Sequence, residues 1–172
     1  MAIKRTISIV GATENTGAEM AQRFAGINYR LLLVSNDVEE LKKLVKNISE
    51  EKPMTEIDSI ECVKDGCWEA DIIILAVPSS VEKQVQVAEM MKEVATQKMV
   101  VTISGLENSE EELKKILPYS KVIKISNPHQ SKEIFISGED EEATEEISMI
   151  FFKAGYHPTI KNDLPGYKPG NH

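Results

Sequence analysis

Long hydrophobic runs are missing from this sequence. The longest fully apolar run, residues 72–77, has six residues, whereas a helix needs roughly 20 to cross a bilayer. The amino terminus leads directly into a strand-like segment and lacks the apolar stretch of a signal peptide. These absences argue against a membrane protein and against secretion, so we expect a cytoplasmic protein.

Cysteine is also scarce. The two cysteines, Cys62 and Cys67, are separated by four residues, with no second pair and no histidine nearby. A structural zinc site needs four ligands, which this pattern does not supply. We therefore expect two reduced structural thiols, as is usual in the cytoplasm, and no metal site.

Positive charge is in deficit. The chain has 28 acidic and 20 basic residues, a formal net charge of −8 and an isoelectric point near 5.0. Because nucleic-acid binding usually requires a basic face, we expect no nucleic-acid partner. The length of 172 residues, with 41% apolar and 28% charged residues, is typical of one globular domain.

Short β-rich segments alternate with helical patterns along the chain, which predicts a doubly wound α/β fold with helices on both faces of a mostly parallel sheet. We expect a single Rossmann-like domain over residues 1–163 and a loose tail over 164–172, where proline and glycine are frequent. The first helix is expected to follow Thr16, and the second to be capped by Asp37. The predicted strands cover residues 6–10, 31–35, 57–63, 71–77, 99–103, 121–126, 133–137 and 157–160.

The turn after the first strand, residues 11–17, is the strongest functional signal. In dinucleotide-binding folds this turn is rich in glycine, because the chain bends tightly, the backbone approaches the pyrophosphate, and the helix packs closely on the strand. Gly11 and Gly17 lie where the bend and the close contact are needed. The side chains of Thr13, Asn15 and Thr16 could donate hydrogen bonds to phosphate oxygens.

Glu14 is the exception in this turn. With Gly17 at the third glycine of the motif, Ala12 takes the first glycine position and Glu14 the second. A carboxylate at the second position is bulky and repels a pyrophosphate. Two interpretations therefore stay open: a turn that binds the cofactor, or one that keeps the geometry and has lost the cofactor.

The residues after the second strand do not decide between NAD and NADP. An acidic residue there binds the ribose hydroxyls of NAD, whereas an arginine accepts the 2′-phosphate of NADP. Ser35 and Asn36 are neutral donors that suit either nucleotide, and Asp37 is better explained as a helix cap.

Further segments extend the pattern over nearly the whole chain, in order. The segments are residues 11–17, 35–37, 70–78, 118–124, 134–143, 154–158 and 163–164. Together they resemble the coenzyme F-420-dependent NADP oxidoreductases. Members of that family transfer hydride between a reduced deazaflavin and the nicotinamide ring of NADP. The resemblance therefore implies NADP as the cofactor, with deazaflavin as the hydride partner.

The resemblance also implies roles for single residues. Thr13, Asn15 and Gly17 fall on the phosphate loop, and Ser35 falls on the serine that binds the 2′-phosphate. The segment Ala76, Val77 and Pro78 lines the nicotinamide and its ribose, while Ser126 and Asn127 face the ring.

Three features depart from the family. Glu14 replaces a glycine of the phosphate loop, and Asn36 replaces an arginine that contacts the 2′-phosphate. The sequence also ends at His172, without the further segment that helps form the deazaflavin pocket.

His129 is the candidate catalytic residue, because it follows the sixth strand at the edge where α/β sheets bind ligands. It could act as a general acid or base, or be an ordinary loop histidine. The segment around it weakly resembles the His-Pro segment of prephenate dehydrogenases. We predict an oxidoreductase that binds NADP(H) or NAD(H) and a small-molecule hydride partner, with a homodimer covering the open cleft. The alternative is a non-catalytic module for dinucleotide sensing or protein interaction.

Overall fold

The strands of the protein form one sheet in a computed structural model that describes residues 4–77, 81–103, 109–126 and 132–161. The apolar run after Asp71 becomes a strand whose four residues are all buried, as expected for a central parallel strand covered on both faces. The strands are β1 Thr6–Val10, β2 Arg30–Val34, β3 Ile57–Ile60, β4 Ile72–Leu75, β5 Met99–Ile103, β6 Lys121–Ser126, β7 Glu133–Gly138 and β8 His157–Ile160.

The helices follow the capping signals in the sequence. Asp37 caps the second helix, since its carboxylate accepts a hydrogen bond from the Glu40 N–H at 3.2 Å. Asp140 caps the last in the same way, accepting from the Ala143 N–H at 2.8 Å. The helices in the described ranges are α1 Asn15–Phe24, α2 Val38–Glu51, α3 Val63–Glu69, α4 Val81–Met91, α5 Ser109–Ile116 and α6 Glu141–Lys153.

The strand order is β3-β2-β1-β4-β5-β6-β7-β8. The strands from β1 to β6 are parallel and have the order of a Rossmann sheet. β7 runs antiparallel to β6, and β8 is parallel to β7. Only six residues, 127–132, connect β6 to β7, and a parallel return needs a crossover of about a dozen residues or more.

The helices cover the sheet on both faces, which confirms the predicted doubly wound fold. Along β4, Ile72 and Ile74 pack in one core with α1, α2 and α6, whereas Ile73 and Leu75 pack in a second core with α3, α4 and α5. None of the helices within the described ranges is long and apolar enough to span a membrane.

The boundaries of several elements differ from the prediction: β2 begins and ends one residue earlier, β4 is shorter at both ends, and β7 is one residue longer. The third strand ends at Ile60, because Val63 is already the first residue of α3. The first helix begins at Asn15, before Thr16, because Glu14 takes the capping position. Cys62 is exposed and Cys67 is buried, and both are free thiols. The predicted tail lies outside the described residues.

Candidate functional site

The turn after β1 is held between the ends of two neighbouring strands. The N–H groups of Gly11 and Ala12 both donate to the carbonyl oxygen of Val34, at 3.0 and 3.1 Å. Gly11 has a φ of +86°, and a Cβ atom on it would lie 2.7 Å from the carbonyl oxygen of Ala76. Glycine is therefore required here both by the backbone conformation and by the contact with the chain after β4.

Gly17 lets α1 pack directly on this turn. A Cβ atom on Gly17 would overlap the carbonyl oxygen of Gly11, and the neighbouring Ala12 is fully buried. The two glycines thus have the conformations that the sequence predicts for a tight bend and a close helix–strand contact. Their role in binding a cofactor stays a prediction.

Glu14 occupies the N-cap position of α1. Its φ of −74° and ψ of 158° are ordinary extended values, so the backbone does not need glycine there. Its N–H donates to the Gly11 carbonyl at 3.0 Å, and its own carbonyl accepts from the Ala18 N–H at 2.8 Å. The side chain is exposed and makes no capping hydrogen bond. The carboxylate therefore projects from the helix start without stabilising it through a cap.

Two side chains predicted to bind phosphate, those of Asn15 and Thr16, also lie at the start of α1. Asn15 is exposed and Thr16 is half-buried, and both belong to the first helical turn. The first N–H groups of a helix have no partner within it, and they point outward with the positive end of the helix dipole. This arrangement suits an anion.

The end of β2 meets the turn through two hydroxyl groups. Thr13 Oγ1 lies 2.6 Å from Ser35 Oγ, and Ser35 Oγ also accepts a hydrogen bond from the Asp37 N–H at 3.1 Å. Ser35 is only 8% exposed, whereas Asn36 is exposed beside it. The structure therefore brings Thr13, Ser35 and Asn36 to one edge of the sheet.

The remaining predicted residues that the structure describes lie along the same edge. The Ala76 N–H donates to the Val10 carbonyl at 2.8 Å, and Ala76 is buried while Val77 is half-buried. Ser126 ends β6, three strands from β1 in the sheet, which corresponds to about 14 Å. The candidate catalytic residue His129, and the predicted binding residues Pro78 and Asn127, lie outside the described residues.

A buried polar cluster at the end of β5 was not predicted. Thr102 Oγ1 donates to Gln84 Oε1 at 2.9 Å, and Gln84 Nε2 donates to the Ile103 carbonyl at 3.2 Å. Gln84 and Thr102 are both buried. The sequence contains a signal for the burial of Gln84, though not for its partner, since Gln84 shares a helical stripe with the buried Ala88 and Met91.

Carboxylates are the only charged side chains in the two segments that approach each other here. Residues 11–17 and 35–37 include Glu14 and Asp37, and they include no lysine, arginine or histidine. Within these two segments, attraction of a phosphate therefore depends on backbone N–H groups, hydroxyls and the helix dipole.

The sequence matches no family model and no curated protein. Solved structures resemble it in fold. A diketoreductase superposes with a TM-score of 0.77 at 16% identity, over 97% of this chain and 68% of its own. A protein from Arthrobacter sp. FB24, provisionally named as an F-420-dependent NADP reductase, has a TM-score of 0.71 at 16% identity, over 94% of this chain and 84% of its own.

A third similar structure is prephenate dehydrogenase from A. aeolicus, determined with hydroxyphenyl propionate and NAD⁺. Its TM-score is 0.71 at 12% identity, over 94% of this chain and 61% of its own length. At identities this low the superpositions show the fold alone, which is the Rossmann-type architecture.

Proposed function

We propose that this protein is an oxidoreductase that binds NADP(H), or NAD(H), along residues 11–17. It would transfer hydride between the nicotinamide ring and a second cofactor or small substrate. The observation that carries the proposal is the junction of the ends of β1, β2 and β4. There the turn at Gly11 is hydrogen-bonded to Val34 and packs against the Ala76 carbonyl. In an open α/β sheet, ligands bind where the strand order reverses, which here is between β1 and β4.

The residues at this junction fit a dinucleotide. Gly11 and Gly17 leave the turn without side chains where a Cβ would strike backbone, and the start of α1 offers N–H groups to the pyrophosphate. The ends of β4 and β6, with Ala76, Val77 and Ser126, would line the nicotinamide and its ribose. The bound cofactor supplies the hydride, and these residues would orient the ring and exclude water from it.

The environment of Asp37 supports NADP over NAD in this proposal. An enzyme selective for NAD uses an acid after β2 to bind the ribose hydroxyls. Here the Asp37 carboxylate is already bonded to the Glu40 N–H at 3.2 Å, as the cap of α2. The hydroxyl groups of Thr13 and Ser35, 2.6 Å apart, and the exposed amide of Asn36 are then left for a 2′-phosphate.

The hydride partner is proposed from resemblance alone. The similarity to the provisionally named Arthrobacter reductase favours a deazaflavin. A small carbonyl or alcohol substrate is the other option, and His129 would then be the candidate acid or base. We also propose a cytoplasmic homodimer whose second subunit covers the cofactor cleft, which sedimentation analysis would test.

Titration of the purified protein with NADPH and NADH, followed by nucleotide fluorescence, tests cofactor binding. Asn36→Arg should tighten NADPH binding about tenfold, because it restores a cation beside the 2′-phosphate, and should leave NADH binding unchanged. Asn47→Arg is the matched control, because it adds the same charge at an exposed position on α2, the helix that follows Asn36. Absence of binding for both nucleotides at millimolar concentration would overturn the proposal.

The second candidate function is a non-catalytic module for dinucleotide sensing or protein interaction. It is favoured by Glu14, whose exposed carboxylate stands at the start of α1 where a pyrophosphate would approach. Turnover with any nicotinamide-linked substrate would exclude it.

A further inference from the structure

Gln84 is a glutamine at a fully buried position of α4. Its side chain is 1% exposed, and Thr102 beside it is 0% exposed. The amide is paired at both its oxygen and its nitrogen, since Thr102 Oγ1 donates to Oε1 at 2.9 Å and Nε2 donates to the Ile103 carbonyl at 3.2 Å. Buried polar groups of this kind fix the geometry of the segments that they join, because a displacement leaves one of them unpaired.

The amide joins the start of a helix to the end of a strand. Gln84 lies in the first turns of α4, which begins at Val81, shortly after the end of β4 at Leu75, and Ile103 is the last residue of β5. Thr102 is opposite Leu75 in the sheet register. The chain that leaves β4 and the chain that ends β5 are therefore held together by one side chain.

This connection lies on the nicotinamide side of the proposed cofactor site. In a Rossmann sheet each half binds one mononucleotide, on either side of the point where the strand order reverses. The order here reverses between β1 and β4. The turn at Gly11 and the hydroxyl of Ser35 follow β1 and β2, which leaves the ends of β4 and β5 for the nicotinamide half. Val77, after β4, packs against the same core as α4.

We propose that Gln84 is a positioning residue for the nicotinamide half of the bound dinucleotide. Its amide keeps the start of α4 and the Ile103 carbonyl at a fixed separation, so that the ring enters a space that is already formed between the ends of β4 and β5. Without the amide these segments must be ordered on binding, and that cost weakens the affinity. Gln84 is buried, so it acts through these two segments. This inference rests on the proposed function.

Calorimetric titration with two ligands tests the proposal. NADPH carries the nicotinamide ring, whereas 2′-phospho-ADP-ribose lacks it, and NADH with ADP-ribose forms the parallel pair. For Gln84→Leu we expect the affinity for NADPH to fall about tenfold, while the affinity for 2′-phospho-ADP-ribose stays within about twofold of the native value. A loss confined to the ligand with the ring identifies the half of the site that Gln84 positions.

Two further variants separate this effect from a loss of stability. Gln84→Leu combined with Thr102→Val removes the unpaired hydroxyl and should recover part of the stability, but it should keep the selective loss because the Ile103 carbonyl still lacks its partner. Ser8→Ala is the matched control. It removes another buried hydrogen bond between two elements, from Ser8 Oγ to the Gly66 carbonyl at 2.6 Å, and should leave the ratio of the two affinities unchanged.

The fluorescence of bound NADPH gives a second readout, because the reduced nicotinamide ring is the fluorophore. At saturating protein, the emission maximum for Gln84→Leu should shift toward that of free NADPH, whereas Ser8→Ala should keep the native maximum. A change in stability alone would not move this maximum.

Three results would overturn the inference. One is an equal change in the affinities for NADPH and 2′-phospho-ADP-ribose in Gln84→Leu, because the amide would then serve stability alone. Another is the same selective loss in Ser8→Ala. The third is an unshifted emission maximum in Gln84→Leu. Absence of NADPH and NADH binding by the native protein would instead overturn the proposed function itself.

Discussion

Thr13 Oγ1 and Ser35 Oγ lie 2.6 Å apart, although 22 positions separate the two residues in the chain. The contact joins the turn after β1 to the end of β2. Because Ser35 Oγ also accepts from the Asp37 N–H, the turn, the strand end and the start of α2 form one hydrogen-bonded unit. Both hydroxyls are thereby held at the edge where a dinucleotide would bind.

Removing one hydroxyl of this pair should lower the free energy of unfolding by more than the hydrogen bond between the two hydroxyls contributes to it. Ser35→Ala should lower the free energy of unfolding by about 1–2 kcal/mol, because Thr13 and the Asp37 N–H both lose a partner. Thr13→Val should cost about 1 kcal/mol. Urea unfolding of both single variants and the double variant measures the coupling. Strictly additive losses would show that the two hydroxyls do not interact.

Gly11→Ala should be far more damaging than Gly26→Ala. Both glycines have positive φ, +86° and +94°, but only at Gly11 would the new Cβ meet backbone, 2.7 Å from the Ala76 oxygen. At Gly26 the nearest atom is the flexible Lys52 side chain, at 3.4 Å. We expect a loss of about 1 kcal/mol for Gly26→Ala from the left-handed backbone, and about 3 kcal/mol or more for Gly11→Ala. Equal midpoints in chemical denaturation would contradict the close approach to Ala76.

The cluster of Gln84 and Thr102 should show strong non-additivity. Gln84→Leu leaves the Thr102 hydroxyl and the Ile103 carbonyl without their side-chain partner, which should cost about 2–3 kcal/mol. Thr102→Val in the Gln84→Leu background should restore about 1 kcal/mol, since a buried unpaired hydroxyl is removed. Thermal and urea unfolding of the four proteins measure this. A further loss in the double variant would refute the arrangement.

The two cysteines should differ sharply in reactivity. Burial raises the pKa of the Cys67 thiol to about 12, so almost no thiolate is present at pH 8. Cys62 is exposed. Ellman's reagent at pH 8 should therefore titrate one thiol quickly and the second only in denaturant, and Cys62→Ser should remove the fast phase. Two fast thiols in the native protein would contradict the burial of Cys67.

The same pKa shift predicts a loss of stability at high pH. The pKa of Cys67 in the folded state lies above its ordinary value of 9.0, so the folded state retains the proton more tightly than the unfolded state does. The stability that depends on the protonated Cys67 thiol is complete below about pH 9 and is lost as the pH rises toward 12. Over this range the free energy of unfolding of the native protein should fall by up to about 1.4 kcal/mol per pH unit more than that of Cys67→Ala.

The elements of the fold could be predicted from local patterns. The apolar run of β4, the caps at Asp37 and Asp140 and the helical stripe of α1 are properties of neighbouring residues. Their geometry depends on short-range periodicity and hydrogen bonding, which a sequence displays directly. The boundary at α3 was missed because strand and helix preferences overlap over residues 57–63.

The repulsion between the Glu14 carboxylate and a pyrophosphate could also be predicted from the sequence, because that inference needs only the spacing of glycines in the turn. What the sequence could not decide was where that side chain stands. The structure places Glu14 exposed at an unstrained N-cap. That position follows from the backbone bonds between Gly11, Glu14 and Ala18, which depend on how α1 packs against β1.

The sequence by itself thus determined the order and type of the elements, the glycine turn and the acidic character of the site. Only the tertiary structure decided that Thr13 meets Ser35, that Gln84 meets Thr102, and that Gly11 lies against Ala76. Each of these contacts joins segments far apart in the chain. Such contacts form only when strand order and register are set by the packing of the whole sheet, and no local pattern of residues specifies them.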